Sequence, residues 1–191
     1  MLKGAIFDMD GLLFDTERIY RESWQVLSTS FGVTHNPAFV HAVCGTTGEI
    51  MSNLLQEYYP GVDADSYAEA VYNRVNEVTQ ASVPMMKGVT EILSYFKEQG
   101  FRIAVASGSP LSTIRHHLNV TEIDSYFDEI VSSVGIERGK PAPDVFLMAA
   151  KALELPPEDC YVFEDGINGV NAGLAAGCKT IMIPGLTEPT P

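Results

Sequence analysis

Residues 5–17 read "AIFDMDGLLFDTE": a short apolar run delivers two carboxylates, Asp8 and Asp10, two positions apart, and Gly11 follows. If the chain stays extended past Phe7, Asp8 and Asp10 share parity and start out on the same side, until Gly11 permits a sharp turn. Two more acidic residues, Glu164 and Asp165, follow another apolar run and precede Gly166. A lone Asp-x-Asp is most simply a helix cap or a solvated loop end. Four carboxylates in one cleft are different, because such crowding demands a cation or a captured proton. An all-oxygen, carboxylate-rich site suits Mg²⁺, which takes about six oxygen ligands at roughly 2.1 Å and accepts water or phosphate among them. Anion-binding groups lie elsewhere in the chain. Ser107 and Ser109 flank Gly108 just before Pro110, which can begin a helix, so hydroxyls and free backbone amides would suit a phosphoryl oxygen there. Ser109 serves equally well as a cap of that helix. Lys140, in "RGKPAPD", stands immediately ahead of a helix opened by Pro141 or Pro143. A cation at a helix N-terminus opposes the macrodipole, and charge balance for a bound phosphate would compensate.

These residues need elements to bring them together. Four short apolar runs read as buried strands, over Gly4–Phe7, Arg102–Ala106, Tyr161–Phe163 and Lys179–Ile183, with a weaker fifth at Glu129–Val131. Between them lie helical spacings: Val89, Ile92, Leu93 and Phe96; Ile114 and Leu118; Val145 to Leu155; Val170 and Leu174. Strand alternating with helix predicts an α/β fold with a parallel sheet covered on both faces. Asp8, Ser107 and Glu164 then stand at one carboxyl edge, where sheets of this kind bind ligands. Residues 16 to about 81 hold helix-like patterns (Ile19, Trp24, Leu27; Ile50, Met51, Leu54, Leu55; Tyr67, Ala70, Val71, Val75, Val78) and no convincing strand, which predicts an all-helical insert after the first strand. The glycines of "GINGVNAG", Gly166 to Gly173, are expected to allow close packing of a helix on the sheet.

With 191 residues, 46% of them hydrophobic, the chain can bury a core as one large domain or a domain with an insert. Twelve basic against 25 acidic residues give a net charge of −13, a field that repels nucleic acid and anionic membrane and requires any anionic substrate to be held locally. Cys44, Cys160 and Cys178 are odd in number and widely spaced, as reduced thiols of a cytoplasmic protein would be. Asp8 interrupts the first apolar run too early for a signal peptide, and no run reaches the length of a membrane span. His35, His41, His116 and His117 lack metal-ligand spacing and read as surface or packing residues. A Gly-x-x-x-x-Gly-Lys-Ser/Thr loop, a Gly-x-Ser-x-Gly elbow and a first-strand Gly-x-Gly-x-x-Gly are all absent, so triphosphate, acyl-transfer and dinucleotide chemistries lack support.

Asp8-Met9-Asp10-Gly11, Ser107, Gly139-Lys140-Pro141-Ala142-Pro143-Asp144 and Phe163-Glu164-Asp165-Gly166 together resemble, in order, the four motifs of the haloacid dehalogenase superfamily. The likeness is to its small-molecule phosphatases and β-phosphoglucomutase-like proteins. It implies a Rossmann-like three-layer α/β/α core, residues 1–15 and 82–191, and an inserted four-helix cap, residues 16–81. It implies that Asp8 is the nucleophile that becomes an aspartyl phosphate, and that Asp10 is the general acid and base. Mg²⁺ would be held by Asp8, Asp165, Glu164 and the backbone carbonyl of Asp10, while Ser107, Gly108 and Lys140 would bind the phosphoryl group. Dehalogenation is not expected, since that branch lacks the second aspartate.

The expected reaction is Mg²⁺-dependent hydrolysis of a small phosphorylated metabolite, of the sugar phosphate kind, by a monomer. A mutase of the β-phosphoglucomutase type is the alternative. Its pattern has a cap-loop arginine where "CGTTGE", Cys44 to Glu49, offers Gly48, and a cap histidine where Tyr20 stands. Residues 16–81 carry three arginines (Arg18, Arg21 and Arg74) against eight acidic side chains, a poor setting for a second phosphate. A catalytically silent phosphometabolite-binding protein is a further alternative. The chain ends at "GLTEPTP", where the proteins it resembles continue, which implies either thin cover on one sheet face or a shortened chain.

Overall fold

In the computed structural model, residues 3–43, 46 and 48–185 are described. The chain divides into two compact units, Met1–Asp15 with Ser82–Pro191, and Thr16–Ala81. In order, the elements are β1 (Gly4–Phe7), α1 (Thr16–Ser28), α2 (Pro37–Val43), α3 (Gly48–Tyr58), α4 (Ala64–Thr79), α5 (Val89–Glu98), β2 (Arg102–Ser107), α6 (Leu111–Val120), β3 (Glu129–Ser132), α7 (Asp144–Ala152), β4 (Cys160–Glu164), α8 (Ile167–Ala175) and β5 (Lys179–Met182). Among the described residues, no helix is long and apolar enough to cross a membrane.

The first unit is a five-stranded sheet in the order β3-β2-β1-β4-β5, with every neighbouring pair parallel. β1 lies at its centre and is buried along its whole length, as expected of a strand covered on both faces. Successive side chains of β1 leave on opposite faces. Ala5 and Phe7 join Val105, Leu93, Phe96, Ile114 and Leu118 on the side of α5 and α6. Ile6 joins Ala104, Val162, Val145, Phe146, Ala149 and Ala172 on the side of α7 and α8. The result is the three-layer α/β/α arrangement. Gly173 lets α8 approach the sheet, since a Cβ there would meet Thr180 Oγ1 at 2.5 Å. Cys160 and Cys178 are both buried and unbridged; burial pushes the Cys160 thiol up to about 11, with Asp159 and Glu158 adding, and the Cys178 thiol up to about 12, with Cys160 and Glu158 adding. At the β5 edge Ile181 and Ile183 remain substantially exposed; residues 186–191 lie outside the described region.

The second unit contains helices α1 to α4 and no strand among the described residues. Its core joins Ile19, Trp24, Phe39, Val43, Leu55, Tyr67, Val71 and Val75. Trp24 meets Tyr67 edge-on at 4.8 Å, and the Tyr67 hydroxyl donates to the Trp24 carbonyl at 2.9 Å. Asp63 caps α4 by accepting from the Ser66 amide at 3.2 Å. The apolar spacing in this stretch marks α1, α3 and α4; α2, of seven residues, is too short to display a period. Cys44, Gly45 and Thr47, part of the "CGTTGE" stretch, lie outside the described residues.

Candidate active site

Strand register decides which residues meet. Phe7 pairs with Phe163 and with Val105, so the ends of β1, β2 and β4 arrive at one edge. The ladder runs one step further: the Asp8 amide donates to the Phe163 carbonyl at 3.0 Å. On the far side of β4, the Ile183 amide donates to the Glu164 carbonyl at 2.8 Å. Asp8 and Glu164 are thereby fixed by backbone bonds. Beyond Asp8 the chain folds back at Gly11, whose φ of 85° lies in the left-handed region that favours glycine. The Gly11 amide donates to Phe14 O at 2.8 Å, and the Leu13 amide to Met9 O at 3.0 Å.

Asp8, Glu164 and Asp165 each offer a carboxylate oxygen, all within 4.8 Å of one another, and all three residues are buried. Lys140 enters from the loop ahead of α7. Its Nζ donates to Asp8 Oδ1 and to Glu164 Oε1 at 2.6 Å, and it lies 4.9 Å from the centroid of the Phe146 ring. Glu164 Oε2 accepts from the amides of Asp165 at 3.1 Å and Gly166 at 3.2 Å. The packing of α8 makes room for this carboxylate, for a Cβ on Gly169 would fall 1.8 Å from Glu164 Oε1. The glycines expected to permit close packing therefore also shape the site.

Burial pushes the Asp8 carboxyl well above the ordinary range; Lys140 opposes this, and Glu164, Asp165 and Asp10 add to it. For Lys140 burial works against the charge, but Asp8 and Glu164 outweigh it and hold the ammonium above its usual value. When ionised, three carboxylates against one ammonium leave a charge of −2, which a divalent cation balances. The oxygen-only donor set fits Mg²⁺.

The Asp10 side chain reaches toward the end of β2. Its Oδ2 accepts from Ser107 Oγ at 3.3 Å and Ser109 Oγ at 2.9 Å. Ser107 Oγ in turn accepts from the Ser109 amide at 3.0 Å, and Gly108 lies between them. The structure thus brings Asp8, Lys140, Glu164 and Asp165 into one ionic cluster and Asp10, Ser107 and Ser109 into a neighbouring hydrogen-bonded group. Lys140, expected at a phosphoryl group, has two carboxylate partners here. Ser109 does not cap α6, whose N-cap is Pro110. His117 is buried with its ring edge-on to Phe14 at 5.6 Å; burial lowers its pKa, Asp10 opposes, and His116 adds to the lowering. Ser132, which no motif marks, donates from Oγ to the Ser109 carbonyl at 2.7 Å.

Known proteins are similar to this chain in sequence and in fold. The sequence pattern of the haloacid dehalogenase-like hydrolases matches residues 5–183. A protein named as probable pseudouridine-5'-phosphatase from Drosophila melanogaster is 34% identical over 192 residues, covering 94% of this chain and 80% of that protein. Hexitol phosphatase B of Escherichia coli (strain K12) is 30% identical over 185 residues, covering 94% of this chain and 82% of that one. The crystal structure of β-phosphoglucomutase from Clostridium difficile matches with a TM-score of 0.78 at 25% identity, over 95% of this chain and 84% of that one. Since the family pattern matches residues 5–183, nearly the whole chain, the chain belongs to the haloacid dehalogenase-like hydrolases.

Proposed function

We propose that this protein is a phosphoric monoester hydrolase, a Mg²⁺-dependent phosphatase acting on a small phosphorylated metabolite of the sugar phosphate class. The sheet unit is the catalytic core and the helical unit the cap. The observation that carries the reading is the buried Asp8 carboxylate, paired with Lys140 and clustered within 4.8 Å with Glu164 and Asp165, two positions before a second aspartate, Asp10. Phosphatase relatives at 30–34% identity support it.

Asp8, Asp165 and Glu164, with the Asp10 carbonyl, would hold the metal, which when bound shields the nucleophile from its anionic target. Asp8 attacks phosphorus and forms an aspartyl phosphate as the ester P–O bond breaks. Asp10, as the acid, gives its proton to the departing oxygen. Asp10, now a carboxylate, takes a proton from the water that hydrolyses the acyl phosphate, which returns Asp8 and releases phosphate. Lys140 stays charged throughout, and with Ser107 and the Gly108 amide it meets the phosphoryl oxygens as charge grows on them. Every residue invoked comes from one chain, so a monomer suffices.

The test is release of inorganic phosphate from p-nitrophenyl phosphate with and without Mg²⁺. Turnover is expected with the metal and is expected to vanish in Asp8→Asn. Metal-independent turnover, or turnover that survives that substitution, overturns the reading, and binding of phosphate without turnover points to the silent binder. Likeness to a β-phosphoglucomutase structure favours a second reading, a phosphosugar mutase. Conversion of β-glucose 1-phosphate to the 6-phosphate without net phosphate release distinguishes it.

A further inference from the structure

Two serines donate to the same oxygen of Asp10, yet their surroundings differ. Ser109 is held at all three of its polar groups: its hydroxyl donates to Asp10 Oδ2 at 2.9 Å, its amide donates to Ser107 Oγ at 3.0 Å, and its carbonyl accepts from Ser132 Oγ at 2.7 Å. Ser132 is itself fixed in the sheet, opposite Ser107 in the β2–β3 register, and its Oγ also accepts from the Val134 amide at 3.2 Å. Ser107 makes the longer bond to Asp10, at 3.3 Å, and is the hydroxyl better placed to turn to another acceptor. The hydroxyl of Ser109 has no duty at the helix terminus, because α6 starts from Pro110 without a side-chain cap.

We propose that Ser109 is a positioning residue for the proton-transfer step: braced by Ser132, its hydroxyl fixes the orientation of the Asp10 carboxyl group. This rests on the phosphatase reading, in which Asp10 protonates the leaving oxygen. Ser107 and Ser109 then divide the work. Ser107 serves the phosphoryl group and Ser109 serves the acid. A displaced acid costs most when the departing oxygen is a poor leaving group and little when it leaves readily unprotonated.

The experiment compares kcat/KM for phenyl phosphate and p-nitrophenyl phosphate, two esters of similar shape and unequal leaving ability, at saturating Mg²⁺. The enzymes are wild type, Asp8→Asn, Ser109→Ala, Ser109→Thr and Ser132→Ala, with melting temperatures recorded. Ser109→Ala is expected to lose about tenfold on phenyl phosphate and less than about twofold on p-nitrophenyl phosphate. Ser109→Thr, which keeps the hydroxyl, restores most of the loss, and Ser132→Ala shows the same selectivity to a lesser degree. An equal loss on both esters assigns Ser109 to phosphate binding and overturns the inference, as does an unchanged Ser109→Ala. Should wild type fail to turn over either ester, or Asp8→Asn retain turnover, the phosphatase reading falls and takes this inference with it.

Discussion

At the scale of the residue, the site is a problem of charge in a place with little water. Asp8, Glu164 and Asp165 are buried together, and Lys140 bridges two of them. A lone ammonium there would be discharged by burial; its carboxylate partners keep it protonated. Removing one partner of such a cluster leaves the other charges uncompensated. Lys140→Ala is therefore expected to lower kcat/KM on p-nitrophenyl phosphate by about 10²–10³-fold, in line with loss of one preorganised electrostatic group. Lys140→Arg should recover little, because a planar guanidinium cannot replace a compact ammonium between two carboxylates. Steady-state kinetics at saturating Mg²⁺ check both, and near-wild-type turnover in Lys140→Ala would remove the lysine from the mechanism. Lys140, Asp8 and the acidic pair were all legible from residue type and motif. Their pairing was not, since a lysine ahead of a proline-opened helix reads as an anion-binding group until its two carboxylate neighbours are seen.

At the scale of the element, α8 and the end of β4 are fitted to each other. Gly169 stands against the Glu164 carboxylate so closely that a methyl group would overlap it at 1.8 Å. Gly169→Ala is expected to destabilise by about 1–3 kcal/mol through overpacking, and to reduce turnover by displacing the carboxylate that holds Lys140. Denaturant melts with parallel kinetics check this, and a variant as stable and active as wild type would show that α8 can shift freely. Strand positions were readable because buried parallel strands appear as short unbroken apolar runs. The helix at Pro37–Val43 escaped because two turns show no period, and Ile50 and Val78, apolar and at helical positions, are nearly half exposed at 47% each. Periodicity records which side of a helix is apolar; neighbouring elements decide how much of that side is covered.

For the whole molecule, the net charge of −13 is compounded by a local concentration of carboxylates, and the Asp8 carboxyl is raised first by burial, with Glu164, Asp165 and Asp10 adding to it against the opposing Lys140. A cation that binds the folded state alone stabilises it by about 2.7 kcal/mol at a hundredfold excess over Kd. For a chain of this size that corresponds to a rise in melting temperature on the order of 5–10 °C. Mg²⁺ should produce such a rise in scanning calorimetry, EDTA should reverse it, and Asp165→Asn should largely abolish it; an equal response in that variant would move the metal elsewhere. The sequence by itself determined the class of the fold, the helical insert and the acidic, hydroxyl and basic groups available for chemistry, because apolar periodicity and residue type are local properties. Only the tertiary structure decided that Lys140 lies between Asp8 and Glu164, that Gly169 makes room for that carboxylate, and that Ser109 turns to Asp10 instead of capping its helix. Those choices follow from strand register and helix approach, which depend on contacts between residues as far apart along the chain as Gly4 and Cys160, and leave no trace in any short stretch of chain.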